Sequence, residues 1–115
     1  MEQLNKVEIR GLVGSIKTQT FSQNTMSRIT VATNYVYKDK TGAAVIETSW
    51  HNIIAWEGKN ICDCNKIERG SKVYVQGRLK YNKYMTEDGQ ERQVTEIVAT
   101  RLTLIDDDES LSYEM

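Results

Sequence analysis

The two tryptophans of this 115-residue chain lie in one short, strand-like segment, ETSWHNIIAW, at residues 47–56. Trp50 and Trp56 are six positions apart, so in an extended chain they point to the same face. Asn52 and Ile54 lie between them on that face. The opposite face would carry His51, Ile53 and Ala55. Two such large rings on one face are either part of a hydrophobic core or a platform on which a flat ligand can lie.

Further rings alternate with basic residues in other segments. Tyr37 and Lys38 end one strand-like run. The later run 71–84 carries aromatic and basic residues on both of its faces. Unpaired nucleobases stack on aromatic rings for about 1–3 kcal/mol each, whatever the base, while Lys and Arg neutralise the phosphates between them. This composition favours single-stranded nucleic acid as a ligand. One face of the later run would carry Arg78, Lys80, Asn82 and Tyr84, and the other Tyr81 and Lys83.

Each feature also has a purely structural interpretation. Small barrels bury aromatic residues, so the tryptophans would then belong to a core. The lysines and arginines would be an ordinary solvated face. Tyr74, between Val73 and Val75, fits a core or interface position, and His51 fits a packing role better than a catalytic one. Spacing alone leaves both interpretations open.

The overall net charge of −1 hides an asymmetry along the chain. The last ten residues, DDDESLSYEM, contain five acids and no base, which leaves fifteen basic and eleven acidic residues in 1–105, a net charge of +4. A mildly basic body suits a polyanionic ligand.

Few histidine and cysteine side chains are available to bind zinc. The chain has one histidine, and its two cysteines, Cys62 and Cys64, are separated by a single residue. A zinc site needs about four ligands, so we expect reduced thiols and neither a metal nor a cofactor. The sequence shows no secretory signal and no apolar run long enough to span a bilayer, so we expect a cytoplasmic location.

The pattern of elements that would position these residues is three strands, a short helix and two strands. The predicted helix lies within 57–70, where Ile61, Cys64 and Ile67 recur every three residues and Gly70 follows as a cap. Strands interrupted by glycines suit a small, curved barrel. The order predicts an all-β OB-fold, a five-stranded Greek-key barrel, rather than an SH3-like barrel. The predicted strands are 4–14, 26–37, 45–56, 71–84 and 91–105, with a polar turn at 18–25 and bulge candidates at Gly11, Gly14 and Gly77.

The chain resembles bacterial single-stranded DNA-binding proteins, the SSB family, over about residues 5–105. The resemblance rests on NKVEIRGLVG, ITVATNYVYKDKTG, ETSWHNIIAW, ERGSKVYVQGRL and DGQERQVTEIVATRL, in this order and spacing. It implies an OB-fold domain over 1–105. The remaining residues, 106–115, depart from the family's pattern and form a short acidic tail that we expect to be disordered.

The resemblance also assigns roles. In such proteins a few aromatic rings stack the DNA bases. At the matching positions this chain keeps Trp50 and has Trp56 where Phe is common. Tyr37 and Tyr84 stand where Trp is usual. The implied stacking residues are Tyr37, Trp50, Trp56 and Tyr84, and the expected phosphate contacts are Lys38, Lys40, Arg78, Lys80, Lys83 and Arg92.

Assembly and partners follow from the same resemblance. It implies a homotetramer, with a dimer as the alternative, in which the first strand and the region around His51 contribute to subunit contacts. Relatives recruit replication and repair proteins through an acidic tip that ends in two apolar residues. The tail here lacks that ending, so we do not carry recruitment over to this chain. The short tail favours an accessory or mobile-element member.

The expected function is therefore non-enzymatic, sequence-tolerant binding and protection of single-stranded DNA in replication, recombination and repair, near the nucleoid. One alternative is an OB-fold subunit of a replication or primosome complex whose main ligand is another protein. A metal-dependent nuclease would need clustered carboxylates around a cation. Asp39, Glu47 and Glu57 are scattered in the sequence, which does not favour this reaction.

Overall fold

Five long strands form a closed barrel in the computed structural model, which describes residues 1–105. In chain order the strands are β1 (Val7–Phe21), β2 (Asn24–Lys38), β3 (Ala44–Trp56), β4 (Lys72–Met85) and β5 (Glu91–Leu104). The order around the barrel is β1-β2-β3-β5-β4, and every neighbouring pair is antiparallel except β3 and β5. The predicted all-β, five-stranded OB-fold is confirmed. The predicted acidic tail at 106–115 lies outside the described residues.

The first hairpin is longer than predicted. The polar run 18–25 is mostly strand, and the turn consists of Ser22 and Gln23 alone, with Ser22 in the left-handed region at φ 52°. Hydroxyl groups pair across the two strands, as between Thr18 and Ser27 at 2.9 Å. Threonine favours strands, and such cross-strand pairs stabilise a sheet. Polar composition was therefore a wrong indicator of a turn.

The predicted helix within 57–70 is wrong in extent. Only a three-residue 3-10 helix forms, Cys64–Lys66, begun by the Asp63 carboxylate, which accepts from the backbone N–H of Asn65 at 3.0 Å. Upstream, the N–H of Cys62 donates to the carbonyl of Leu102 at 2.9 Å, which ties this segment to β5. The spacing of Ile61, Cys64 and Ile67 reflects separate contacts with the core rather than a helical stripe. Gly70 caps no helix, and its φ of 91° serves a turn just before β4.

The barrel interior is filled by side chains of every strand. Almost fully buried aliphatic residues on β2, β3, β4 and β5 form its centre, as alternation in half-buried strands requires. They include Ile29, Val31, Ile53, Val73, Val75, Ile97 and Leu102. At the predicted bulge candidate Gly77 the register of β4 and β5 shifts, and a Cβ there would lie 2.2 Å from the carbonyl oxygen of Val98. The absence of a side chain lets the two strands cross closely.

The β2–β3 hairpin has two unlike halves. Its pairing runs from Met26 opposite Trp56 to Lys38 opposite Ala44. In the proximal half (residues 26–32 and 50–56), one face of the hairpin packs into the core of the barrel. In the distal half, which we call the distal ribbon (residues 33–38 and 44–49), neither strand has a buried residue. The Asp39 carboxylate closes its loop by accepting hydrogen bonds from Thr41 and from the backbone N–H of Ala43, and these bonds lower its pKa.

Candidate nucleic-acid interface

Trp50 lies on the outside of the barrel, where 61% of it is exposed. It is opposite Ala32 on β2, and its indole covers Gly14 on β1. A Cβ built on Gly14 would fall 2.4 Å from Cζ3 of the indole. Small residues on two strands thus form a shelf under the ring. This packing fixes the orientation of the indole while leaving it accessible.

Trp56 lies on the same outer face and is 44% exposed. It is opposite the buried Met26, and its ring centroid is 6.0 Å from that of Phe21. Ile53 and Ala55, at the alternate positions, fill the core. The predicted division of β3 into two faces is correct, and the interpretation that the tryptophans belong to the core is wrong.

A cleft of about 350 Å³ runs along this face from the middle of β3 to Tyr84 on β4. Its lining includes Asn52, which lies between the two tryptophans along β3, as well as Tyr84 and Val94. Lys17 and Arg28 bring positive charge from β1 and β2. We call this the central cleft. It joins the tryptophan face to the predicted ring on β4 through a surface that mixes aliphatic, amide and basic groups.

A buried carboxylate organises the floor of the central cleft. The side chain of Glu96 is only 7% exposed. Its Oε2 accepts from Nη1 of Arg28 at 2.9 Å, and its Oε1 accepts from Nδ2 of Asn82. Burying a carboxylate is costly unless it is paired and hydrogen-bonded. Glu96 therefore holds Arg28 and Asn82 in fixed positions beside the cleft.

Sequence reasoning missed Arg28 and Phe21 as members of this face. Arg28 is opposite Ile54, so even-numbered residues of β2 share the face of the tryptophans. That register could have been inferred only by aligning the two strands. Phe21 was hidden by the incorrect turn at 18–25.

The predicted basic residues of β4 and β5 separate into two groups. Arg78, Lys80 and Tyr84 are on the outer face, and Arg92 is directly opposite Tyr84. Lys83 is on the other face, with its Nζ 3.6 Å from Oε1 of Glu91. Its charge is therefore partly neutralised by a partner on the same hairpin.

Tyr37, Lys38 and Lys40 are in the distal ribbon and its loop. Lys38 shares the face of Trp50. Tyr37 has the opposite parity, and its ring centroid is 6.1 Å from that of Tyr35. The structure therefore does not place Tyr37 on the tryptophan face. It forms a second aromatic site with Tyr35 on the reverse of the ribbon.

His51 is half-buried, on the opposite side of β3 from the tryptophans. Its Nε2 is 2.8 Å from the hydroxyl of Thr33, and burial lowers the pKa of the imidazole. These contacts fit the packing role that parity predicts. Within residues 1–105 no three His, Cys, Asp or Glu side chains cluster to hold a metal, and no helix has the length and apolar character to cross a membrane.

Comparison with solved structures finds the same architecture in two single-stranded DNA-binding proteins. The barrel is similar to the Plasmodium falciparum SSB in a complex with single-stranded DNA, with a TM-score of 0.78 and 31% identity, covering 92% of this chain and 98% of that one. It also matches a single-stranded DNA-binding protein from Thermus aquaticus with a TM-score of 0.72, covering 91% of this chain and 52% of that one. At 15% identity, this second likeness bears on the fold alone.

Comparison with curated sequences gives the same result. The chain is 34% identical over 104 residues to a single-stranded DNA-binding protein of Xylella fastidiosa and 33% identical over 106 residues to single-stranded DNA-binding protein 1 of Chlorobaculum tepidum. Each match covers 89% of this chain. The chain spans 63% and 65% of the lengths of these relatives.

The family profile matches almost all of the described residues. The matching profile is that of the single-strand binding protein family, and it covers residues 4–105. The expected resemblance is confirmed. The chain belongs to the single-strand binding protein family.

Proposed function

We propose that this protein binds and protects single-stranded DNA without strong sequence preference, in replication, recombination and repair. The observation that carries the proposal is the pair of exposed indoles, Trp50 and Trp56, on the face of β3 whose Asn52 lines the central cleft together with Tyr84. Exposed rings beside basic side chains are the two components that a single strand requires. A similar protein, 31% identical, has been solved in a complex with single-stranded DNA.

In this proposal the bases stack on rings in two places. Trp50, Trp56 and Tyr84 serve the outer face, and Tyr37 serves the reverse of the distal ribbon. The strand reaches both by crossing the edge of the ribbon or by contacting a second subunit. The phosphates are neutralised by Lys38, Lys40, Arg78, Lys80 and Arg92, with a smaller contribution from Lys83 because of its ion pair with Glu91. Arg28 and Lys17 add positive charge in the central cleft.

The proposed assembly is a homotetramer, with a dimer as the alternative. Assembly of subunits would give one strand access to rings on different faces. Binding to DNA would place the protein with the nucleoid in the cytoplasm.

The test is a titration with oligo-dT of several lengths, followed by intrinsic tryptophan fluorescence at low salt. Stacking on Trp50 and Trp56 should quench the emission, with a stoichiometry that depends on oligonucleotide length. Sedimentation of the same samples gives the number of subunits. Duplex DNA of the same length is the control, because paired bases cannot stack on the rings.

Absence of quenching and of co-sedimentation at low salt would contradict the proposal. The alternative of a protein-binding OB-fold subunit predicts weak oligo-dT binding together with tight binding to a replication protein.

A further inference from the structure

We propose that Phe21, at the tip of the β1–β2 hairpin, is an additional base-stacking position that continues the tryptophan face beyond Trp56. The inference rests on the proposed function and identifies a further stretch of the same DNA path. It follows from the position of the ring, from its poor burial and from its contact with the ring of Trp56.

Register places Phe21 on the outer face. Along β2, Trp50 is opposite Ala32 and Trp56 is opposite Met26, while Phe21 is opposite Asn24. Directly opposite residues of antiparallel strands share a face. The three rings therefore follow one another along β2, and Phe21 is the last of them at the end of the hairpin.

The exposure of Phe21 does not suit a purely structural residue. Its ring is 48% exposed, next to a turn formed by Ser22 and Gln23 and opposite the polar Asn24. Apolar surface that stays in water contributes little to folding. The hairpin tip is instead held by hydrogen bonds between hydroxyl groups on β1 and β2.

The geometry of the two rings indicates how they would act. The centroids of Phe21 and Trp56 are 6.0 Å apart and their planes are tilted by 46°. Planes at this angle cannot hold one base face to face between them. Together the rings form a bent, continuous aromatic surface that can support bases at both ends. Lys17, further along the same face of β1, brings a cation into the adjoining cleft.

The test compares oligo-dT affinity among variants at this one position. Phe21→Ala should weaken binding by about 5- to 150-fold, the equivalent of one lost stack. Phe21→Leu keeps apolar bulk without a ring and should also bind more weakly than wild type. Phe21→Trp should restore the affinity and add a third indole whose emission is quenched by DNA.

Two controls make the result decisive. Tyr81→Ala removes a ring that is 59% exposed on the opposite face of β4, and its affinity should change much less. Thermal unfolding of each variant verifies the fold. If the Ala variant is unstable, the affinities of the Leu and Trp variants provide the comparison with the wild type. Equal affinities of the wild type and of the Ala, Leu and Trp variants would overturn the inference and leave the proposed function intact. A wild-type protein that fails to bind would instead remove the proposed function itself.

Discussion

The two halves of the β2–β3 hairpin show how differently one pattern of alternation can be used. In the proximal half, Ile53 and Ala55 fill the barrel while Trp50 and Trp56 face water on the other side. In the distal ribbon the same alternation continues, but both faces are accessible. Tyr37 is on one side there, and Lys38 on the other.

Alternation therefore determines burial only where a second layer exists for one face to pack against. The proximal half has the rest of the barrel behind it, so its rings have a shelf and a fixed orientation. The distal ribbon has no such support within the described subunit. We expect the rings of the distal ribbon to bind DNA less tightly than the rings of the proximal half. We also expect its residues to contribute less to the stability of the fold.

The largest expected effect separates two isoleucines of the same strand. Ile53→Ala should reduce the free energy of unfolding by about 2–5 kcal/mol, because it opens a cavity in the core. Ile46→Ala, in the distal ribbon where the side chain is exposed, should cost less than about 1 kcal/mol. Denaturant unfolding of both variants measures the difference. Equal losses would mean that the distal ribbon is packed as tightly as the barrel.

The next effect concerns the rings. Trp50→Ala should weaken oligo-dT binding by about 1–3 kcal/mol without unfolding the protein. Tyr37→Ala should lie at the low end of that range, since the ring is smaller and Tyr35 stays beside it. Fluorescence and circular dichroism follow binding and folding. A loss of fold in the Trp50 variant would show that this indole is structural. Unchanged affinity in the Tyr37 variant would show that DNA does not contact the reverse face of the distal ribbon.

A smaller effect separates two lysines of β4. Lys80→Ala should reduce the salt dependence of binding, the slope of log K against log salt concentration, by about 0.7 if Lys80 contacts one phosphate. Lys83→Ala should reduce it by less, because Lys83 is paired with Glu91 at 3.6 Å. Titrations at several salt concentrations give both slopes. Equal slopes for the two variants would show that the ion pair opens when DNA binds.

The smallest effect is the pH dependence that comes from His51. Burial lowers the pKa of this imidazole, so the folded state favours the neutral form more than the unfolded chain does. Its contribution to stability is complete above the unfolded pKa of about 6.5 and declines as the pH falls through that value towards the lowered folded pKa.

His51→Gln keeps a group that can bond to Thr33 and removes the titration. The difference in stability between this variant and the wild type, measured from pH 8 to pH 5.5, isolates the effect. A difference that does not change with pH would contradict the assignment. Carboxylates such as Asp39, whose pKa is lowered, influence stability at more acidic pH. Their effects are the same in both proteins and cancel in the difference between the variant and the wild type.

Local patterns in the chain were sufficient for the class of fold and for the two faces of β3. Period-two alternation is a property of the extended backbone and can be read without knowing what the strand packs against. Gly77 was recognised because a glycine inside a strand marks a bulge or a close approach, and β4 and β5 meet closely there. The aromatic and basic composition favoured the ligand that we propose, single-stranded DNA, because stacking and phosphate neutralisation depend on residue type.

Contacts between distant segments decided the rest. The extended path of residues 60–62 depends on hydrogen bonds with Leu102, which no local pattern reveals, so the predicted helix shrank to three residues. Strand register placed Phe21 and Arg28 on the tryptophan face and Tyr37 on the other. The Glu96 network joins three strands. Residue type and period are local, whereas register and burial arise only when strands far apart in the chain come together.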